Sequence, residues 1–141
     1  MAISSIGVRT SNVTIAQGNF ECRTPASVRA RILELSIIQL TGTAQSLGLG
    51  RPAAIGVTPA TVAFQADDPG DPASVVLSAI SWATPPTSPV VFHRRWNSAA
   101  TIGVGTIWTF PAGFVVPISS AVSVHNITAA VANDINCVID E

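Results

Sequence analysis

Hydrophobic and polar residues alternate in short segments along this chain, and turn-forming residues interrupt them at intervals of about ten positions. A period of two is typical of a β-strand that buries one face. Several short strands with turn signals between them are typical of an antiparallel sandwich or barrel. The segments that fit this pattern lie at 28–40, 61–66, 74–82, 90–97, 106–110, 114–118, 121–128 and 134–140.

The connections between these segments leave no room for the helices that would join parallel strands. The sequence therefore predicts an all-β fold, an antiparallel jelly-roll-like β-sandwich of about eight strands in a single domain with an extended N-terminal segment. Residues 1–27, with apolar stretches at 3–11 and 12–16, are predicted to form an N-terminal arm or edge strands. Residues 28–141 are predicted to form the sandwich.

One segment carries both helix and strand signals, and four others carry turn or loop signals. Segment 28–40 contains helix-favouring Arg, Leu and Glu, but its alternation and its β-branched end favour a strand. Residues 18–19 predict a turn, and the small residues of 41–58 predict a long loop. The acidic, proline-containing run 67–72 and residues 111–113 predict two further turns.

The chain has an unusually small share of charge. Charged residues make up 11% of it and hydrophobic residues 48%, and all seven basic residues are arginines. Soluble domains carry about 25% charged residues. No Asp, Glu, Lys or Arg lies between Trp96 and Asn133, so strands built from this stretch would present a large neutral surface of the kind that marks a contact. The composition predicts a subunit of a larger assembly.

The bulk charge and the apolar stretches also limit the partners and the location. A formal net charge of −1 gives no electrostatic reason to bind nucleic acid or an anionic membrane. The first residues lack a secretory signal, and the most apolar later stretch, 107–118, contains two prolines and is too short for a membrane helix. We therefore expect a soluble protein made in the cytoplasm, without a nucleic-acid or membrane partner.

Residues that commonly carry catalysis are sparse. His93 and His125 are the two histidines and do not form an H-x-H pair, and the sequence contains no G-x-S-x-G motif. Segment 48–51 is rich in glycine but lacks the Lys-Ser/Thr of a phosphate-binding loop. These features predict a protein that is not an enzyme and that holds no cofactor.

Acidic residues and cysteines allow two further alternatives. Asp67, Asp68 and Asp71 carry the oxygen ligands that Ca²⁺ prefers, but the interleaved prolines favour a solvated turn, so no metal site is predicted. Cys22 and Cys137 lie far apart without the spacing of metal ligands. A disulfide between them is one alternative, and two buried free thiols agree better with cytoplasmic synthesis.

The sequence His93-Arg94-Arg95-Trp96 places two like charges side by side on a predicted strand. Neighbouring side chains on a strand point to opposite faces, so one arginine should face the core unless the strand ends or bulges there. A charged edge strand that resists aggregation is one explanation. An interface between subunits, where Arg and Trp are favoured, is the other. The candidate interface residues are Arg51, His93, Arg94, Arg95 and Trp96.

Several stretches resemble small structural proteins of tailed bacteriophages. They are LGLGRPAAIG at 47–56, ATIGVGTIWTFP at 100–111, VVP at 115–117 and VIDE at 138–141. The resemblance implies a jelly-roll head-decoration, or cement, protein that sits on the capsid surface as a trimer. Its partners would be the major capsid protein or other virion proteins. The same features are similar to those of other virion components, such as a fibre or tail-tip domain.

Two other functions use the same fold. A carbohydrate- or receptor-binding head domain would stack a sugar ring on an exposed aromatic side chain, for which Trp82, Trp96 and Trp108 are the tryptophans available. Of these, Trp82 and Trp108 are expected in or near the core. A hydrolase is the least favoured function, because the chain lacks an evident constellation of histidines and carboxylates.

Overall fold

The computed structural model describes residues 2–11, 17–129 and 131–141, and within them the chain forms eleven β-strands and no helix. All strand pairs are antiparallel, so the predicted all-β class is confirmed. The strands are β1 (Ile3–Arg9), β2 (Gly18–Arg23), β3 (Ala30–Gln39), β4 (Ser46–Gly50), β5 (Val57–Ala63), β6 (Gln65–Ala66), β7 (Leu77–Thr84), β8 (Arg94–Asn97), β9 (Gly105–Val116), β10 (Ala121–Asn126) and β11 (Asn133–Asp140).

The strands form two sheets that face each other as a sandwich. One sheet has the order β6-β1-β11-β3-β9 and the other the order β5-β7-β2-β10-β4-β8. Without β5, β6 and β7 the remaining eight strands stand as β1-β11-β3-β9 and β2-β10-β4-β8. This is the arrangement of two interlocked Greek keys that defines a jelly roll. The strands β5 to β7 extend both sheets on the side opposite β8 and β9.

The core lies between the sheets and is built from alternate residues of the strands. Large side chains from both sheets, such as Phe20, Leu35, Leu47 and Ile139, are fully buried there. Their burial follows the period of two that the sequence carries. Segment 28–40, predicted as a strand, contains β3.

Cys22 of β2 and Cys137 of β11 contribute their thiols to this core from opposite sheets. Both are free and fully buried, as the preferred alternative predicted. Burial is the main cause that raises the pKa of the Cys137 thiol well above its ordinary value, and a hydrogen bond with Cys22 adds to it. Both side chains pack in the core as small apolar groups.

Several predicted turns and loops are strands in the structure. The predicted loop 41–58 contains β4, the turn predicted at residues 18–19 is the start of β2, and the predicted turn at 111–113 is part of β9. In β9 these residues form a bulge, because the pairing with β3 shifts between Ile32 and Glu34. The run 67–72 is a turn, as predicted.

The N-terminal residues contribute strands to the interior of both sheets. Strand β1 lies between β6 and β11, and β2 lies between β7 and β10. Among the described residues of 1–27, β1 and β2 are continuous with the sandwich, because both supply side chains to the core. The predicted stretch 12–16 lies outside the described residues.

Residues 85–93, which we call the strap, cross the outer face of the six-stranded sheet. Strands β4 and β10 are consequently buried on both faces. A Cβ on Gly48 would lie 2.4 Å from the Phe92 ring, and one on Gly18 would lie 2.4 Å from Pro86. The glycines of this sheet therefore allow the strap to approach the backbone closely.

Candidate functional site

The free edges of the two sheets meet on one side of the sandwich, where β8 ends one sheet and β9 ends the other. Pairing of β4 with β8 places Leu49 opposite Arg94, and the His93 amide donates a hydrogen bond to the Leu49 carbonyl at 2.8 Å. Arg51 follows β4 directly and so lies beside His93. We call the resulting cluster the arginine–aromatic edge; its residues are Arg51, Phe92, His93, Arg94, Arg95, Phe110 and Phe114.

Arg51 is the most constrained side chain of this cluster. Its Nη2 donates to the Val115 carbonyl at 2.8 Å, and its Nη1 lies 3.2 Å from His93 Nε2, which accepts because a guanidinium only donates. The guanidinium carbon stands 4.6 Å from the centre of the Phe114 ring, and the His93 ring meets Phe114 edge-on at 4.9 Å. The Arg51 head group is thus held by hydrogen bonds and a cation–π contact.

Arg94 and Arg95 are exposed, and both rest on aromatic rings. Arg94 lies 5.4 Å from the centre of Phe110, and Arg95 lies 5.9 Å from the centre of Phe92. Arg94 and Trp96 lie on the same face of β8, and Trp96 packs against the core. Arg94 nevertheless reaches solvent, because β8 is a short strand at the edge of its sheet. The unfavourable burial of a lone arginine is avoided without a carboxylate.

The cluster carries positive charge that no described carboxylate neutralises. The ion pairs formed by described residues are Arg9 with Asp134 and Arg23 with Glu21, both away from this edge. Four of the five predicted interface residues, Arg51, His93, Arg94 and Arg95, lie together at this edge and are exposed or half-buried. The fifth, Trp96, is half-buried and holds β8 on the core.

The sequence interpretation missed the aromatic half of the cluster. Phe110 and Phe114 flank the β9 bulge, and their ring centres are 5.3 Å apart. Two phenylalanines four positions apart around Pro111 and Gly113 would be a usable signal. Residues i and i+4 of a strand share a face, and a bulge between them shortens the distance between their rings. Phe92, by contrast, is placed by the strap, and local sequence carries no sign of that crossing.

A broad set of aliphatic side chains is exposed beside the cluster and elsewhere. Val90 is 99% exposed, Ile102 67% and Ile107 63%. Ile102 and Ile107 lie in the uncharged stretch between Trp96 and Asn133. Further large exposed aliphatic residues are Ile38, Ile55, Val57, Val62, Val75, Val91 and Ile118. Single exposed aliphatic residues are ordinary, but these ten belong to a chain with only 11% charged residues, so the surface combines many aliphatic side chains with few charges.

Polar groups beneath the strap do not form an accessible reaction site. His125 Nε2 lies 2.6 Å from Ser123 Oγ, and both residues are fully buried. Burial lowers the pKa of His125 to about 4, so the imidazole is neutral at pH 7. The buried Glu21 accepts hydrogen bonds from Trp82 Nε1 at 2.8 Å and from the Gly56 amide at 3.2 Å. The Glu21 contacts join β2 to Trp82 of β7 and to the segment that precedes β5.

The acidic turn has internal partners. Asp67 accepts a hydrogen bond from Ser5 Oγ at 2.5 Å, and Asp68 accepts one from the Gly70 amide at 2.8 Å. Among the residues that the structure describes, no three His, Cys, Asp or Glu side chains stand close enough to hold a metal ion.

None of the tryptophans is an exposed platform for a sugar ring. Trp108 is 8% exposed and belongs to the core, while Trp82 and Trp96 are half-buried. Trp82 also uses its indole N–H on Glu21. Their positions therefore offer little flat aromatic surface for stacking.

Comparisons with known proteins add no relatives. Neither the protein-family models nor the curated proteins nor the solved structures give a significant match to this chain. The described residues form no helix that could span a bilayer.

Proposed function

We propose that this protein is a non-enzymatic structural subunit of a bacteriophage virion, a capsid decoration or cement protein that binds and stabilises the head. In this proposal it sits on the capsid surface, its partners are the major capsid protein or other virion proteins, and it forms a homotrimer. The observation that carries the proposal is the low-charge surface with its many exposed aliphatic side chains.

Covering a surface of this kind with another protein lowers the free energy of the system. Burial of apolar area contributes about 25 cal/mol per Å², so large neutral faces favour broad contacts over small-ligand sites. The arginine–aromatic edge adds arginines already placed on aromatic rings, which lose less conformational freedom on docking. Such side chains are frequent energetic anchors of protein interfaces.

Cementing follows from mass action. A protein that binds the assembled shell and not its separated subunits stabilises the shell, by about 2.7 kcal/mol per site at a free concentration one hundred times Kd. Such a role requires no catalytic group, which agrees with the buried and inaccessible positions of His125 and Glu21.

Cosedimentation tests this proposal directly. The purified chain is added in molar excess to empty shells of the major capsid protein encoded by the same phage, and the mixture is separated on a sucrose gradient. We expect the chain to migrate with the shells to a saturating stoichiometry and to raise their dissociation temperature. An unrelated β-sandwich protein of similar size serves as the control. A chain that stays at the top of the gradient at every ratio would contradict the capsid role.

A further inference from the structure

Unpaired charges of opposite sign lie on opposite sides of the sandwich. On the β8–β9 side, Arg51, Arg94 and Arg95 have no carboxylate partner among the described residues, although aromatic rings hold all three. Their side chains are half-buried or exposed, so the charge is presented to solvent.

The other four arginines share their surface regions with carboxylates. Two of them form ion pairs, and two line a shallow groove with the acidic C-terminus. The groups are Arg9 with Asp134, Arg23 with Glu21, and Arg29 and Arg31 with Asp140 and Glu141.

Three acidic residues without an ion pair lie together on the far side. Asp67, Asp68 and Asp71 occupy the turn between β6 and β7, and none of them forms an ion pair within the described chain. Strand β6 ends one sheet, and β5, which pairs with β7, ends the other, at the edges opposite β9 and β8. One further carboxylate, Glu34, lies on β3, one strand inside the basic edge.

The acidic side also carries an exposed neutral strand. Five of the seven residues of β5 are exposed, and β5 has one hydrogen-bonded neighbour, β7, in the described structure. Val57 and Val62 contribute large aliphatic side chains to this edge. Ile102 and Ile107 do the same near the basic edge. Each side therefore combines apolar area with three like charges.

From this arrangement we infer that the partner of the arginine–aromatic edge is the acidic turn of a second copy of this chain. The contact is heterologous: Arg51, Arg94 and Arg95 of one copy face Asp67, Asp68 and Asp71 of the next. Such a head-to-tail contact forms a ring when its rotation closes, and each copy then uses both of its edges. The inference rests on the oligomer within the proposed function and does not depend on capsid binding.

Complementary charge would set the register, while the neutral strands beside it supply buried area. Rim charges mainly govern association rates and partner choice, and their effect weakens as salt shortens the Debye length from about 10 Å at 0.1 M to about 3 Å at 1 M. We therefore expect the oligomer to dissociate more readily as the salt concentration rises.

Charge-reversal variants of the full chain test the inference by sedimentation velocity. The basic-edge variant is R94E/R95E, and the acidic-turn variant is D67R/D71R, which leaves Asp68 to bond the Gly70 amide. Each variant places like charges at every contact, so we expect association to weaken by at least about tenfold. The quadruple variant R94E/R95E/D67R/D71R reverses both sides and should recover the wild-type oligomer.

A mixture of the two single-edge variants gives a second readout. Complementary contacts then form only between unlike variants. Three chains cannot alternate around a ring, so we expect the mixture to form open one-to-one complexes at concentrations where neither variant associates alone. The matched control is R29E/R31E, which makes the same change in net charge at the groove beside the C-terminus. We expect this control to keep the wild-type oligomer.

Three results would overturn the inference: a wild-type monomer, an oligomer unaffected by either single-edge variant, or a quadruple variant that folds but does not reassociate. The second result would leave the proposed trimer intact and place its contact elsewhere. Circular dichroism melting curves show which variants are folded. If the quadruple variant is unfolded, the mixture of the two single-edge variants replaces it: association supports the inference, and its absence contradicts it.

Discussion

A single methyl group on Gly48 should weaken the packing of the strap against the sheet. A Cβ at this position would lie 2.4, 2.5 and 2.8 Å from three carbons of the Phe92 ring, so the ring or β4 must move. Overpacking of this kind costs about 1–3 kcal/mol, and loss of glycine's freedom in the unfolded chain returns about 0.4–1 kcal/mol. We expect Gly48→Ala to lower the free energy of unfolding by about 1–2 kcal/mol, or the Tm by about 2–8 °C.

Urea denaturation followed by tryptophan fluorescence measures this loss. Gly42→Ala is the matched control, because its nearest new neighbour is the Ala100 carbonyl oxygen at an ordinary 3.9 Å. A double-mutant cycle with Phe92→Ala isolates the clash, since removal of the ring should abolish most of the cost of Gly48→Ala. If Gly48→Ala costs the same in both backgrounds, or costs nothing, the packing of the strap on β4 is refuted.

Two further predictions concern buried titratable groups. Because the folded chain holds the pKa of His125 at about 4, below the ordinary 6.5, its contribution to stability is full above pH 6.5 and falls by about 3 kcal/mol as the pH drops to 4. His125→Asn should remove this part of the pH dependence of urea denaturation, whereas His93→Asn should retain it. Cys22 and Cys137 are fully buried, so a thiol-reactive dye should label neither in the native protein and both in urea; rapid native labelling would contradict their place in the core.

The sequence was sufficient for the fold class because alternation is a local signal. Segment 28–40 becomes β3 despite its helix-favouring residues, since its apolar face must meet the core. The predicted strand 90–97 is shorter in the structure, where β8 begins at Arg94 and the residues before it belong to the strap. Local pattern therefore places most of the strands but misses β4 and misjudges where the chain leaves the sheet.

Features that depend on tertiary contact were out of reach. The glycines of β4 indicated a loop, and their actual reason is the ring of Phe92 lying against the strand. Arg51 and His93 are 42 positions apart in the chain, and only the pairing of β4 with β8 brings them together. The sequence offers both residues as interface candidates but carries no sign that they touch, and the contact between Phe110 and Phe114 depends on the bulge in β9.

The central claim is that this chain is a subunit whose low-charge surface is covered by other proteins. The native mass of the purified chain, measured by analytical ultracentrifugation at micromolar concentration and moderate salt, tests it most directly. The account predicts a stable trimer that dissociates as salt rises. A monodisperse monomer across the accessible concentrations would contradict it, because the exposed aliphatic surface would then be stable in water without a partner.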